Sequence, residues 1–350
     1  MRHPNPLDRE IVPRSAGTNF GRRVRQDWPS GRDFRVLSID GGGIRGILPL
    51  AALARLERDW LQGESIANYF DLIAGTSTGG IIALGFASGL TAQQILEIYI
   101  GRGKEVFPPL SLFQRAVKGT TQYVINRCES SALYKLIDDV VGDHHLWQSK
   151  FRLCIPAAET RHFEPYIFKT PHHPEYRKDW SQIMAHIAKT TSAAPAHFKP
   201  VVSNLGYEFI DGGVWANNPV MVAIADALSC FNIRREQLSV LTMGCGRTRY
   251  EMGWIRRNLG GMLSLTSLLF ETMEIQSQNV TGQARLIAGG DRVLRIDSPP
   301  PSNPIALWDW ERAVAELPAV GDHLVSLLGA IPRDRFLHTR AEPFIPIYAP

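Results

Sequence analysis

Cysteine is scarce in this 350-residue chain, and long apolar runs are missing. The four cysteines, Cys128, Cys154, Cys230 and Cys245, form no CxxC pair and no metal-ligand spacing. That pattern argues against a sequence-encoded metal site and for free thiols in a reducing compartment. No segment reaches the ~20 apolar residues that a membrane span requires, and the run Ile81–Leu90 is short and broken by glycine. Charge of either sign is not in excess, with 38 Lys and Arg against 34 Asp and Glu, a formal net of +4. Without a basic block or an interleaved aromatic stripe, this balance excludes a nucleic-acid polymer as the expected partner but suits an anionic surface. A secretory leader is also lacking, because residues 1–33 carry seven arginines against four acids and no apolar centre. The expectation is a cytoplasmic protein that meets any lipid substrate at the inner face of the membrane.

What is present is an alternation of strand and helix signals. Apolar runs predict strands at Phe34–Ile39, Tyr69–Ala74, Phe151–Ala157, Tyr166–Lys169, Tyr207–Ile210, Ser239–Met243 and Arg292–Ile296. Helices are expected over Leu48–Trp60, Ile81–Ser88, Thr91–Tyr99 behind a Thr91 cap, Ser181–Thr190, Val220–Leu228, Asn258–Ala288 and Leu307–Leu328. Pro318 should interrupt the last of these, and Gly101–Arg127 reads as irregular. Strands alternating with helices imply an α/β fold, a mostly parallel central sheet covered on both faces. One domain is expected over residues 34–350, behind a basic extension at 1–33.

Two glycine motifs carry the chemistry. Gly41-Gly42-Gly43-Ile44-Arg45-Gly46, between a strand and a helix, fits two templates. It reads as a dinucleotide pyrophosphate loop, or as a row of backbone amides that stabilises an oxyanion. Asp40, directly against the loop, would repel a pyrophosphate, and no acid ends the second strand to hold a ribose. That second strand leads instead into Gly75-Thr76-Ser77-Thr78-Gly79, a G-x-S-x-G nucleophile elbow. A serine nucleophile needs a base. His323 and His338 satisfy the chain order of a Ser-acid-His triad, but neither lies in a motif. Asp211, at the end of an apolar strand and followed by Gly212 and Gly213, sits at the sheet edge where α/β sites form. A turn-capping role for Asp211 is the alternative.

Asp40–Gly46, Gly75–Gly79, Thr191-Ser192-Ala193-Ala194-Pro195 and Asp211-Gly212-Gly213, in this order, resemble the four blocks of the patatin-like phospholipases. The resemblance spans roughly Phe34 to Gly246 and implies a three-layer α/β/α fold that hydrolyses acyl esters of membrane phospholipids. By the same resemblance Ser77 is the nucleophile and Asp211 the general base. Gly41, Gly42 and Gly43 form the oxyanion hole, with Asp40, Arg45, Gly46, Gly75, Gly79, Gly212 and Gly213 supporting it. No metal or cofactor is implied. Arg45 is read as a brace for the loop in preference to a phosphate ligand. The Thr191–Pro195 block reads as packing, and Asn217-Asn218-Pro219 as a helix cap.

Three further stretches remain. Phe107-Pro108-Pro109-Leu110-Ser111-Leu112-Phe113, followed by Arg115 and Lys118, reads as a lid or as ordinary core. Tyr166–Tyr176 is similar to a stretch of bacterial patatin-like phospholipases that a cyclic dinucleotide such as cyclic GMP-AMP activates in anti-phage defence. Its tandem His172-His173 reads by itself as a surface loop. Residues 247–350 are a candidate regulatory region, where Arg247, Arg249, Arg256 and Arg257 are candidate partners for nucleotide phosphates. A soluble-ester hydrolase and a catalytically silent lipid- or nucleotide-binding protein are the competing readings, and self-association stays open.

Overall fold

The computed structural model describes residues 23–108, 130–195, 198–203, 206–247 and 265–350. Eight strands form one sheet: β1 Phe34–Ile39, β2 Leu72–Gly75, β3 Leu153–Glu159, β4 Glu164–Lys169, β5 Val201–Val202, β6 Glu208–Asp211, β7 Leu238–Met243 and β8 Val293–Ile296. Their order is β5-β6-β3-β2-β1-β7-β8, with β4 paired to β3 beside that path. The five strands from β3 to β8 along this order pair in parallel. β4, β5 and β6 add an antiparallel flank.

Every residue of β1 and of β7 is buried, as expected for central strands covered on both faces. Alternate side chains feed two cores. Leu37 and Ile39 of β1 face the larger core with α1 (Ile47–Trp60), α2 (Thr78–Ala87) and α3 (Ala92–Val106). It also takes in α4 (Ser130–Val141) and α5 (Met184–Thr191). Phe34 and Val36 face the smaller core with helices beyond α6 (Gly213–Ala216), namely α7 (Val220–Cys230) and α8 (Leu265–Ala288). All ten residues of α2 are buried, because a helix that is apolar on every side has no face to offer water. The α/β architecture with a mostly parallel sheet is therefore as expected.

Several boundaries differ from expectation. α3 does not stop at Tyr99 but runs to Val106, through two glycines. A Cβ at Gly103 would lie 2.7 Å from Trp310 Cδ1, so the small residue admits a close contact that offsets its propensity cost of ~1 kcal/mol. Pro318 lies inside α9 (Trp310–Leu328) without ending it. A proline there costs ~3 kcal/mol, but the buried Ala313, Leu317 and Val325 hold the helix in place, and Gly321 seats it on α1. The chain closes with α10 (Ile331–Phe336). His172 and His173 are not on a surface loop, since each is only 2% exposed. Cover comes from residues 23–33. His173 Nε2 meets the Val24 carbonyl at 2.9 Å, and Gln26 Nε2 donates to the His172 carbonyl at 2.6 Å. Most of the 107–113 stretch, with Arg115 and Lys118, lies outside the described residues, as do Arg249, Arg256 and Arg257. No helix among the described residues is long and apolar enough to cross a membrane.

Candidate active site

β2 ends at Gly75 and α2 begins at Thr78, so the turn between them holds two residues, Thr76 and Ser77. Ser77 adopts φ +55 and ψ −122, a conformation that costs a non-glycine residue of order 1–3 kcal/mol. The neighbours make this sharp turn possible. A Cβ at Gly75 would lie 2.1 Å from the Gly79 carbonyl, and one at Gly79 would lie 2.2 Å from the carbonyl of Ile39 in β1. The strain is also held from outside, because the Ser77 amide donates to Thr191 Oγ1 at 3.0 Å while that hydroxyl donates to the Pro156 carbonyl at 2.6 Å. Ser77 caps α2, whose N-terminal dipole favours negative charge at this hydroxyl.

Asp211, the last residue of β6, is 4% exposed. Its carboxylate accepts the Ser77 hydroxyl and the Gly213 amide at 2.6 Å. Burial pushes its pKa up to about 6, against the lowering effect of those two hydrogen bonds. The Asp211 amide donates to the Ala193 carbonyl at 3.0 Å and that of Gly212 to the Thr191 carbonyl at 3.4 Å. The 191–195 block, expected only to pack, thus fixes both Ser77 and Asp211.

The glycine loop lies beside this pair. The Gly41 amide is committed to the Asn217 carbonyl at 2.9 Å, and that of Ile44 to the Leu307 carbonyl at 3.0 Å. The Gly41 amide is thus already engaged, and a Cβ at this position would fall 3.3 Å from Ser77 Cβ. Gly42 and Gly43 donate their amides to no group among the described residues. Below the loop, Asp40 is 2% exposed and accepts Arg295 Nη2 at 2.7 Å and Ser277 Oγ at 2.9 Å. Burial pushes its pKa up to about 6, with Arg295 pulling the other way. Arg45 Nη1 donates to the Gly246 carbonyl at 3.2 Å, as a brace does, and Gly46 abuts the Thr78 side chain.

Ser77, Asp211 and the loop line one cavity of about 370 Å³. Its remaining walls are mainly apolar and include Ile81, Val106, Phe107, Leu133, Phe198, Met273 and Trp308. Such a space accepts a hydrocarbon chain with its polar end at Ser77.

The sequence model of the family described as patatin-like phospholipase matches residues 37–224, more than half of the chain. This protein belongs to the patatin-like phospholipases. It is 34% identical over 221 residues to a protein of Escherichia coli named cGAMP-activated phospholipase, covering 60% of this chain and 61% of that one. A Vibrio cholerae protein of the same name is 35% identical over 200 residues, 54% of this chain and 56% of the other. Patatin-like protein 2 of Arabidopsis thaliana is 34% identical over 263 residues, with 65% and 63% covered. The matches thus span less than two thirds of these relatives' own length.

Not every expected group of this patatin-like chain meets the site. His323 and His338 do not line the cavity. Arg247 faces Glu274, with Nε 3.4 Å from Oε1. Asn217 contributes more than a cap, since it lines the cavity with its Oδ1 buried and without a hydrogen-bond partner among the described residues. The wall formed by residues 304–308 gave no signal in the sequence, because it joins the site only through tertiary contact with the glycine loop. Cys154, His172 and Asp226 place three possible ligand atoms within 4.8 Å of one another. Lys169 already pairs with Asp226 at 2.7 Å there, and an ammonium so close opposes a metal ion.

Proposed function

We propose that this protein is a lipid acyl hydrolase that cleaves acyl ester bonds of membrane phospholipids through a Ser77–Asp211 dyad. The observation that carries the reading is the hydrogen-bonded pair of strained Ser77 and buried Asp211 opening on an apolar cavity. Ionised Asp211 takes the Ser77 proton as Oγ attacks the ester carbonyl, and the Gly42 and Gly43 amides stabilise the oxyanion. Protonated Asp211 then gives the proton to the departing alcohol, and water repeats the cycle on the acyl-enzyme. A carboxylate base suits alcohol leaving groups better than amines, which favours esters over peptides. No cofactor enters this scheme. The names of the bacterial relatives support activation by a cyclic dinucleotide such as cyclic GMP-AMP, and we place the enzyme in the cytoplasm, acting at the inner face of the membrane in antiviral defence.

The test is fatty-acid release from phospholipid vesicles by wild type and Ser77→Ala, with and without cyclic GMP-AMP, beside hydrolysis of a water-soluble short-chain ester. Release that depends on Ser77 supports the reading. Cleavage of the soluble ester alone would favour a soluble-ester hydrolase. Failure of a fluorophosphonate probe to label Ser77 in a folded, nucleotide-treated protein would leave only a binding role.

A further inference from the structure

A second cavity, of about 380 Å³, lies at the other end of the sheet. Asp71 precedes β2 and Arg152 precedes β3, and both line it. Ser77 follows β2 at its far end, six residues along the chain from Asp71, or roughly 15–20 Å at the rise of an extended strand. Lys150, Phe151, Arg340 and Phe344 complete the features that matter here.

The charges at this end do not balance. Arg32 pairs with Asp71 and Glu342, and Arg340 with Glu64. Arg35, 4% exposed, spends its guanidinium on the backbone carbonyls of Phe336 and Thr339. Arg152 gives one hydrogen bond, from Nη1 to the Asp71 carbonyl at 3.3 Å, and among the described residues it has no ion-pair partner. Lys150 is exposed and likewise has no acidic partner among the described residues. Asp71 and Glu342 act on Arg152 from the same wall, but cations outnumber carboxylates there, with Lys150, Arg152 and Arg340 against those two acids. Burial lowers the pKa of Arg152, against the opposing pull of Asp71 and Glu342, so a further anion placed here would favour its charged form. Aromatic faces lie beside the charge. The Arg152 guanidinium is 5.5 Å from the Phe344 ring centroid, and both Phe151 and Phe344 are partly exposed. Cations for phosphate beside rings for stacking are the chemistry that recognises a nucleotide. The volume is within the usual range of ligand pockets, ~300–1,000 Å³.

We propose that this cavity is a binding site for a nucleotide with two phosphates, held by Lys150 and Arg152 and stacked on Phe344. The inference rests on the reading of the chain as a nucleotide-activated hydrolase, and it gives that nucleotide a site at the sheet edge opposite Ser77. One wall is the C-terminal segment that Arg35 and the Ala341 amide tie to the domain, the latter through the Asn68 carbonyl at 2.8 Å. An occupant touches that segment and the starts of β2 and β3 at once. Control then requires that the nucleotide bind the active state more tightly than the resting one.

The test is calorimetric titration of the full chain with cyclic GMP-AMP, with an equimolar AMP and GMP mixture and with inorganic phosphate. Wild type is compared with Lys150→Glu, Phe344→Ala and Lys104→Glu. Lys104 is an exposed cation on α3 and serves as a control for loss of charge. Cyclic GMP-AMP is expected to bind wild type and Lys104→Glu equally. Lys150→Glu and Phe344→Ala should each bind about tenfold more weakly or worse, as loss of a charge-assisted bond or a stacking platform implies. Thermal melting verifies that each variant is folded. Undiminished affinity in both variants, equal loss in Lys104→Glu, or phosphate binding as tightly as the dinucleotide would overturn the proposal. Ester hydrolysis assayed on the same wild-type preparation separates the two readings. Activity without nucleotide binding defeats only the site, and binding without Ser77-dependent hydrolysis defeats only the enzyme.

Discussion

Asp211 and Asp226 are both buried carboxylates, and they differ in what surrounds them. Burial alone would raise the pKa of Asp226, but Lys169 Nζ at 2.7 Å, with His172 Nε2 at 2.8 Å and Tyr176 OH at 2.5 Å, holds it well below the carboxylate range. Burial lowers the pKa of His172 itself, so the ring acts there as a neutral hydrogen-bond donor. Asp211 has the Ser77 hydroxyl and the Gly213 amide but, among the described residues, no cation, and its pKa rises to about 6. A buried acid with counter-charges is locked into one ionisation state and serves as a structural tie. One without them is poised to exchange a proton near neutral pH, as a general base must.

The contrast breaks most visibly by substitution. Ser77→Ala and Asp211→Ala should each lower kcat by at least ~10⁴, with the double variant no worse, since residues acting as one unit are not additive. Substantial esterase activity in Asp211→Ala would assign the base to another residue. Asp226→Ala should do the reverse. It leaves half-buried Lys169 and buried His172 without their carboxylate partner and should cost up to about 3–5 kcal/mol in urea unfolding, while kcat per folded molecule stays near wild type.

The glycine loop gives the next effect. Gly42→Val should lower kcat by ~10²–10³, the usual loss when an oxyanion donor is displaced. A Cβ at this position lies 2.3 Å from Cys245 Cβ, so the loop must shift. Steady-state kinetics on protein shown to be folded would check this, and a normal kcat would place the oxyanion hole elsewhere.

Titration sharpens the comparison further. A base role for Asp211 requires its ionised form, so under the proposed mechanism kcat/KM should rise with pH through about 6. Asp40 also has a pKa of about 6, so Asp40→Asn is the control, and the limb should survive in it. For stability the sign is opposite. The folded state binds the Asp211 proton more tightly than the unfolded chain does, so ionisation destabilises the fold above about pH 6. From 3.8 to about 6 is about two pH units, or about 3 kcal/mol at most. Asp211→Asn should therefore melt above wild type at pH 8, with the gap closing towards pH 4. The smallest effect is expected for Thr191→Val, which removes the acceptor of the Ser77 amide. A net hydrogen bond of ~1 kcal/mol predicts a loss in kcat of roughly five- to tenfold with KM unchanged.

Most of the architecture and the sharp turn at Ser77 were legible because their signals are local. A strand buried on both faces is a continuous apolar run, as at Phe34–Ile39. An elbow needs glycines within two residues of the serine, and Gly75 and Gly79 stand there. Thr91 announced the start of α3 and does cap it, accepting the Gln94 amide. The end of that helix was misplaced, because Gly103 is a poor helix former until Trp310, distant in sequence, packs against it.

Which polar groups meet was decided by tertiary structure alone. Ten histidines and 34 acids are present in the chain. Gly212 and Gly213 mark out Asp211 locally, but nothing local gives Asp226 its Lys169 partner or leaves Asp211 without a cation among the described residues, because burial and hydrogen-bond partners are set by contacts far apart in sequence. The same holds for His172 and His173, polar in a loop-like string yet covered by residues 23–33. It holds for the Gly41 amide, identical in sequence to its two neighbours but taken by the Asn217 carbonyl. It holds also for Arg152, one arginine among many until the sheet edge gathers it with Lys150 and Phe344 around a cavity. Sequence determined where the chain turns and which faces are apolar, because backbone freedom and side-chain periodicity act over a few residues. The fold decided which charges are paired and which are left over, because electrostatic partners are chosen only once distant segments have been brought within a few ångströms and water has been removed between them.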